Sequence, residues 1–232
     1  MEIKYIKRAL KHLNGKVYYK KSYSQCGEDL IINHLVKYLD INKPTYIDIG
    51  ANHPKKLNNT YFFYKNGSVG VLVEPNKQLC KLISRTRKRD TVINAGIGIS
   101  KENTAKYYVM SCDTLSTFCK EEAERIEKMG SIKICNTEDV KMYGINDILE
   151  KYFNGAPDIF SIDIEGLDLE VLKTLDFSKY RPKIFCIETL EYTQDRSAKK
   201  DNELIDFMVL NGYSIYADTY INTILYDSNL IK

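Results

Sequence analysis

Five apolar runs of the chain end on residues able to do chemistry: Asp48-x-Gly50-Ala51-Asn52-His53, Glu74-Pro75-Asn76, Asn94-Ala95-Gly96, Asp163-x-Glu165-Gly166 and Glu188-Thr189. Carboxylates in such places can accept hydrogen bonds from ligand hydroxyls, attract a cation or take up a proton. Gly50 lets backbone come close to a bound molecule. Glu74 and Pro75 end the next run, where an acid can accept both hydroxyls of a ribose. Asn94 and Ala95 then flank an adenine edge. The loop after Asp48 lacks the second and third glycines of a G-x-G-x-x-G turn, which speaks against a pyrophosphate at a helix N-terminus.

Asp163 and Glu165 stand two apart at a strand end, so both can face one side and converge with Glu188. Such a cluster can raise one carboxyl pKa enough to make a base, or hold a hard cation such as Mg²⁺ that acidifies a hydroxyl. Helix capping is the plainer reading; it suits Asp168 and does not suit Asp163, which sits inside Ile-Asp-Ile. Of the three histidines, His12 lies in a basic N-terminal arm and His34 on a helix face. His53 falls in the first loop, either as a base or as a helix-start residue beside Pro54.

The elements that must position these residues alternate. Leu30, Ile31, His34, Leu35, Tyr38 and Leu39 recur at helical spacing and stop before Pro44. Strands are expected at 46–49, 69–74, 91–96, 159–163 and 184–188, with helices near 61–66, 79–83, 146–153, 168–175 and 203–211. Two closing β segments, 214–217 and 221–226, are joined by three residues, too few for a parallel crossover, so they pair antiparallel. This predicts an α/β fold: a mostly parallel sheet with one antiparallel strand and helices on both faces, binding its ligand at the carboxyl ends of the strands. Residues 1–23 read as a basic extension and 24–232 as one domain. Within it, 107–143 is an insertion, β-prone over 106–110 and 132–135 and helical over 117–129, that forms a lid or an acceptor wall.

Composition narrows the class. Lys+Arg 34 against Asp+Glu 31 leaves a net charge of +3 in 232 residues. The basic residues are spread among acidic ones, so acidic polymers and nucleic acid are poorly supported partners. No apolar stretch suits a membrane span or a signal peptide, which points to a cytoplasmic protein. The six cysteines have neither C-x-x-C nor histidine-paired spacing, so reduced thiols are expected, with Cys186 a core residue.

Tyr46 to Asn52, Val73-Glu-Pro-Asn76 and Ser161-Ile-Asp-Ile-Glu-Gly166, followed by Glu170-Val-Leu172, resemble the FkbM-type methyltransferases. Ser24-Gln-Cys-Gly-Glu-Asp29 is similar to the S-Q-x-G-E-D lead-in of one branch. The resemblance implies S-adenosylmethionine as cofactor and a class I, Rossmann-like, seven-stranded methyltransferase fold. It implies Asp48, Gly50, Ala51 and Asn52 around the methionine part, Glu74 on the ribose, and Asn94 and Ala95 beside adenine. Asp163 and Glu165 line the methyl-transfer side, with Gln25 and Glu28 closing over it. Two departures bear on the base: Leu167-Asp168 stands where many relatives carry a His, and His53 where a Gly is common.

The resemblance also implies O-methylation, with a saccharide hydroxyl of surface-polysaccharide synthesis as first acceptor. A homo-oligomer stays open. The competing readings are a nicotinamide-dependent oxidoreductase or epimerase, which would share Glu74, and a non-catalytic binding subunit of the same fold.

Overall fold

The computed structural model describes residues 21–99, 103–164, 166–190 and 199–231. In chain order the strands are β1 (Tyr46–Ile49), β2 (Gly70–Glu74), β3 (Thr91–Asn94), β4 (Gly96–Ile97), β5 (Thr104–Met110), β6 (Ile134–Tyr143), β7 (Ile159–Ile162), β8 (Ile184–Glu188), β9 (Tyr213–Asp218) and β10 (Asn222–Asp227). The helices are α1 (Glu28–Tyr38), α2 (Tyr61–Lys65), α3 (Lys77–Thr86), α4 (Lys120–Lys128), α5 (Ile145–Tyr152), α6 (Asp168–Thr174) and α7 (Asn202–Leu210).

Seven strands form one sheet in the order β3-β2-β1-β7-β8-β10-β9. The first five are mutually parallel, and β10 runs antiparallel to both neighbours. β1 and β7 are buried on both faces, which is why their sequences read as unbroken apolar runs. Ile32, Leu35, Phe63, Tyr64 and Ile83 of α1 to α3 pack on one face. Ile148, Leu149, Val171, Leu172, Leu204 and Met208 of α5 to α7 pack on the other. The chain winds outward from β1 to β3, then returns to place β7 on the far side of β1. The order therefore reverses between β1 and β7, and a crevice opens at their carboxyl ends.

The insertion folds as a small annex. β5 and β6 pair antiparallel, β4 adds in parallel at Met142 and Tyr143, and α4 closes a minor core of Met110, Leu115, Ala123 and Ile126. The annex docks on the main sheet at Gly96, where an added Cβ would stand 2.4 Å from Phe118 Cζ and 2.7 Å from Met142 Sδ. Of the expected elements, β6 is the one that differs most: expected over 132–135, it runs from Ile134 on to Tyr143 through a largely exposed stretch.

The expected S-Q-x-G-E-D lead-in is a loop held from both ends. Asp29 accepts hydrogen bonds from Ser22 Oγ (2.7 Å), Tyr23 N (2.7 Å) and Ser24 Oγ (3.1 Å). Glu28 accepts from Cys26 N (2.8 Å), Thr219 Oγ1 (2.7 Å) and Asn222 Nδ2 (3.1 Å). All six cysteines are free, and Cys186 is buried in β8.

Candidate active site

A cavity of about 610 Å³ occupies the crevice. Its main-sheet wall comes from Gly50, Asn52, Glu74, Pro75, Asp163 and Glu188; the annex supplies Tyr107, Asp113, Leu115 and Phe118; Gln25 and Tyr220 stand at other edges. Gln25, Gly50, Asn52, Glu74, Pro75, Ala95, Asp163 and Glu188 are thus brought together as the sequence led us to expect. Glu165 and the arm bearing His12 lie outside the described residues.

Gly50 holds the crevice in shape. Its φ is +77°, and a Cβ there would lie 1.8 Å from the Asp163 carbonyl oxygen. The close approach is therefore between the ends of β1 and β7 and not only toward a ligand. Gly50 N and Ala51 N donate to Val73 O at 3.0 and 3.3 Å, binding the same turn to β2.

Asn52 follows with a left-handed φ of 46°, which asparagine tolerates, and its N–H donates to Glu74 Oε2 at 2.8 Å. Asn76 N donates to Glu74 Oε1 at 2.7 Å. Each carboxylate oxygen still has a lone pair for a ligand hydroxyl, so Glu74 can accept a ribose diol. Burial pushes the Glu74 carboxyl up to about 7 against those two N–H bonds, and the charges of Asp48 and Asp113 push the same way.

Diol donors favour the ionised form. Binding of S-adenosylmethionine is therefore expected to weaken as pH falls below about 7, by up to tenfold per pH unit, and to level off above it. The folded-state pKa is raised, so Glu74 contributes stability fully below about 4.5, its ordinary value, and loses it as pH rises through about 7. Glu74→Ala should cost the cofactor ~1.5 to 3 kcal/mol. Calorimetric titrations of wild type and variant across pH check both statements; a flat profile with unchanged affinity would remove Glu74 from the ribose.

Five expected site residues are engaged elsewhere. Asp48 does not line the cavity: its Oδ2 accepts from Asn58 Nδ2 (3.0 Å) and Thr60 Oγ1 (2.6 Å), deep behind the turn. Asn94 Nδ2 donates to the Glu74 and Pro75 carbonyls (3.0 and 2.7 Å), so it fastens that turn while Ala95 faces the cavity. His53 is not in the wall either. Its Nδ1 accepts from Lys55 N (3.1 Å) and Lys56 N (2.9 Å), capping a tight turn after Pro54, and no helix starts there before Tyr61. Partial burial and the flanking lysines hold its pKa below the usual value, so it is neutral at pH 7. Ala51 is buried behind the turn, its carbonyl taken by Asn58 Nδ2 at 3.1 Å. Glu28, expected to close over the site, instead ties the lead-in to the β9–β10 turn.

A residue that the sequence did not single out organises this layer. Arg87 is fully buried and donates to Asp90 Oδ2 (2.7 Å), Asn58 Oδ1 (3.0 Å) and Thr60 Oγ1 (3.0 Å). Asn58 then holds both Asp48 and the Ala51 carbonyl. Arg87 sits in the run Arg85-Thr-Arg-Lys-Arg89, which reads as surface charge. Arg87→Met should destabilise the fold by about 3–5 kcal/mol, because Asp48 and Asp90 would be left buried without their cation; chemical denaturation measures it, and a loss below 1 kcal/mol would refute the network's weight.

Asp163 and Glu188 meet at one corner of the cavity. Burial raises the Asp163 carboxyl above its usual range, the Asp48 charge adds to this, and a hydrogen bond with Glu188 opposes it. Two carboxyls joined by a hydrogen bond share one proton, so the pair can take up a second. Behind it, burial and the Asp163 charge push Asp168 up to about 7; its Oδ1 accepts from Ile164 N at 3.3 Å, closing the loop before α6. The concentration of acid suits a cationic ligand. Among the described residues, no three His, Cys, Asp or Glu side chains converge into a metal-binding set, so the expectation of Mg²⁺ has no support here.

A family model described as the Methyltransferase FkbM domain matches residues 48–215. The chain belongs to the FkbM methyltransferase family. It is an S-adenosylmethionine-dependent methyltransferase of the class I fold, which the observed strand order accommodates. The residues present fit the cofactor: a cavity at the β1/β7 reversal, a diol acceptor in Glu74 and an acidic corner for a sulfonium cation. When bound, S-adenosylmethionine supplies an electrophilic methyl group. The FkbM family assignment leaves the nicotinamide reading without support.

No match was found among the curated proteins. Distant likenesses exist among solved structures. Magnesium protoporphyrin IX methyltransferase from Synechocystis PCC 6803 with bound SAM is 11% identical, with 97% of this chain and 96% of that one covered and a TM-score of 0.41. A putative O-methyltransferase from Klebsiella pneumoniae is 10% identical, covering 96% and 89%, TM-score 0.45. The O-methyltransferase from Bacillus cereus in complex with SAH is 9% identical, covering 97% and 90%, TM-score 0.43.

The annex wall was foreseen as a region and not as residues. Tyr107, Asp113, Leu115 and Phe118 carry no motif; Tyr107 within β5 and Leu115 after it are buried positions, indistinguishable in sequence from core. Leu57, Leu190, Tyr220 and Ile221 also line the cavity from loops, where no periodicity marks an inward side chain.

Proposed function

We propose that this FkbM methyltransferase transfers the methyl group to oxygen, with a sugar hydroxyl of glycan synthesis as acceptor. The hydrogen-bonded Asp163–Glu188 pair in the cavity wall carries the reading. An alcohol oxygen becomes a nucleophile only as its proton leaves, and attack on a sulfonium methyl needs in-line positioning more than covalent help. A carboxyl pair carrying one proton can accept that second proton; Glu165 remains a candidate partner from the same loop. An amine acceptor would need no such base once neutral.

Gln25, Thr114, Ser116 and Tyr220 offer the hydrogen bonds and the ring surface a saccharide uses, and Tyr220 is 56% exposed at the edge of the cavity. Transfer from methyl-labelled S-adenosylmethionine to panels of saccharides, phenols and amines tests the proposal. Label in an ether on saccharide is expected; label on amines alone would refute it. Cofactor binding with no transfer to any panel would favour the non-catalytic subunit.

A further inference from the structure

Charge on this molecule is sorted by the sheet. On the α5–α7 face it is mixed and paired: Lys173 bridges Glu170 and Glu203, and Lys179 meets Glu150. On the α1–α3 face Lys37, Lys65, Lys77, Lys81 and Arg85 are all exposed. Lys55, Lys56, Lys88 and Arg89 in the adjoining loops extend the patch.

The acids of the same stretch are withdrawn from the surface. Glu28, Asp29, Asp48 and Glu74 are buried, and the Asp90 side chain is enclosed against Arg87. Asp40 is the exposed acid among the described residues 21–99. Among the described residues, none of the exposed lysines or arginines of this face has a carboxylate within ion-pair distance. The net charge of +3 therefore conceals a one-sided positive face, and the expectation that basic residues are spread among acidic ones does not hold on it.

Apolar side chains stand among these cations. Tyr38 follows Lys37 and is 64% exposed; Leu82 follows Lys81 and is 41% exposed; Leu57 follows Lys56 and is 48% exposed. A phosphodiester chain gains nothing from exposed leucines beside lysines. A lipid surface gains from both, the cations at anionic headgroups and the apolar groups beneath them.

We propose that the α1–α3 face docks on an anionic membrane surface. Gln25 and Leu57 belong both to this layer's loops and to the cavity wall, so docking sets the cavity beside the lipid. The proposal is independent of which acceptor is methylated.

Co-sedimentation of the full chain with vesicles tests it. Vesicles of phosphatidylglycerol and phosphatidylcholine are expected to bind the protein, pure phosphatidylcholine vesicles not, with partition falling as salt rises. The triple variant Lys77→Glu, Lys81→Glu, Arg85→Glu should lose about tenfold or more in partition while its melting temperature and S-adenosylmethionine affinity stay at the wild-type level. Equal partition into both vesicle types, or undiminished binding by a folded triple variant, would overturn the proposal. So would retention on single-stranded RNA with no vesicle binding.

Discussion

Asp163→Asn is expected to lower the methyl-transfer rate by about 10²- to 10⁴-fold, the usual contribution of a positioned general base. The substitution keeps the size of the side chain and a hydrogen bond toward Glu188, so the crevice should stay formed. S-adenosylmethionine affinity should change by only a few-fold, giving a kcat effect with little KM effect. The pH profile provides a second reading. In the wild type the rate rises with pH as the doubly protonated pair gives up one proton and reaches the singly protonated form that acts as base, the Asp163 carboxyl being raised by burial. In the variant that acid limb should disappear. Full activity with an unchanged profile would take Asp163 out of the chemistry.

Gly50→Ala is expected to be worse for the molecule as a whole. Two costs coincide: a left-handed φ of +77° and a Cβ placed 1.8 Å from the Asp163 carbonyl oxygen, with the carbonyl carbon at 2.9 Å. The neighbour is backbone, so no rotamer change relieves the contact and the ends of β1 and β7 must separate. Loss of more than about 3 kcal/mol of stability follows, together with loss of cofactor binding. Gly155→Ala is the matched control. Its φ is +95° and nothing lies within 4 Å of the added Cβ, so it should cost only about 1 kcal/mol. Equal melting temperatures for the two variants would show that the β1–β7 contact carries no weight.

The contrast between these glycines also shows what sequence can and cannot convey. Strands β1, β2, β7 and β8 were legible because burial on both faces leaves an uninterrupted apolar run that ends where the crevice begins. Glu74, Asp163 and Glu188 were legible for the same reason, as acids where such runs stop. β6 was only partly legible: most of its residues are exposed, so neither face imposes an alternating pattern.

Which way an acid turns was not legible. Asp48 and Glu74 both end or nearly end buried strands, but Asp48 faces Asn58, Thr60 and the buried Arg87, while Glu74 faces the cavity. The deciding partner, Arg87, lies far along the chain in a run of basic residues that resembles surface. His53 shows the limit from the other side: placed by sequence in a site loop, it spends its acceptor nitrogen on two backbone N–H groups of its own turn.

Methyl transfer by this chain requires that the crevice between β1 and β7 hold S-adenosylmethionine. Calorimetric titration of the purified protein with S-adenosylmethionine, S-adenosylhomocysteine and NAD(P)H, side by side and without acceptor, tests it most directly. Micromolar binding of the two sulfur ligands, lost or strongly weakened in Glu74→Ala, is the predicted result. Binding of the nicotinamide in their place, or no binding of either sulfur ligand, would contradict it.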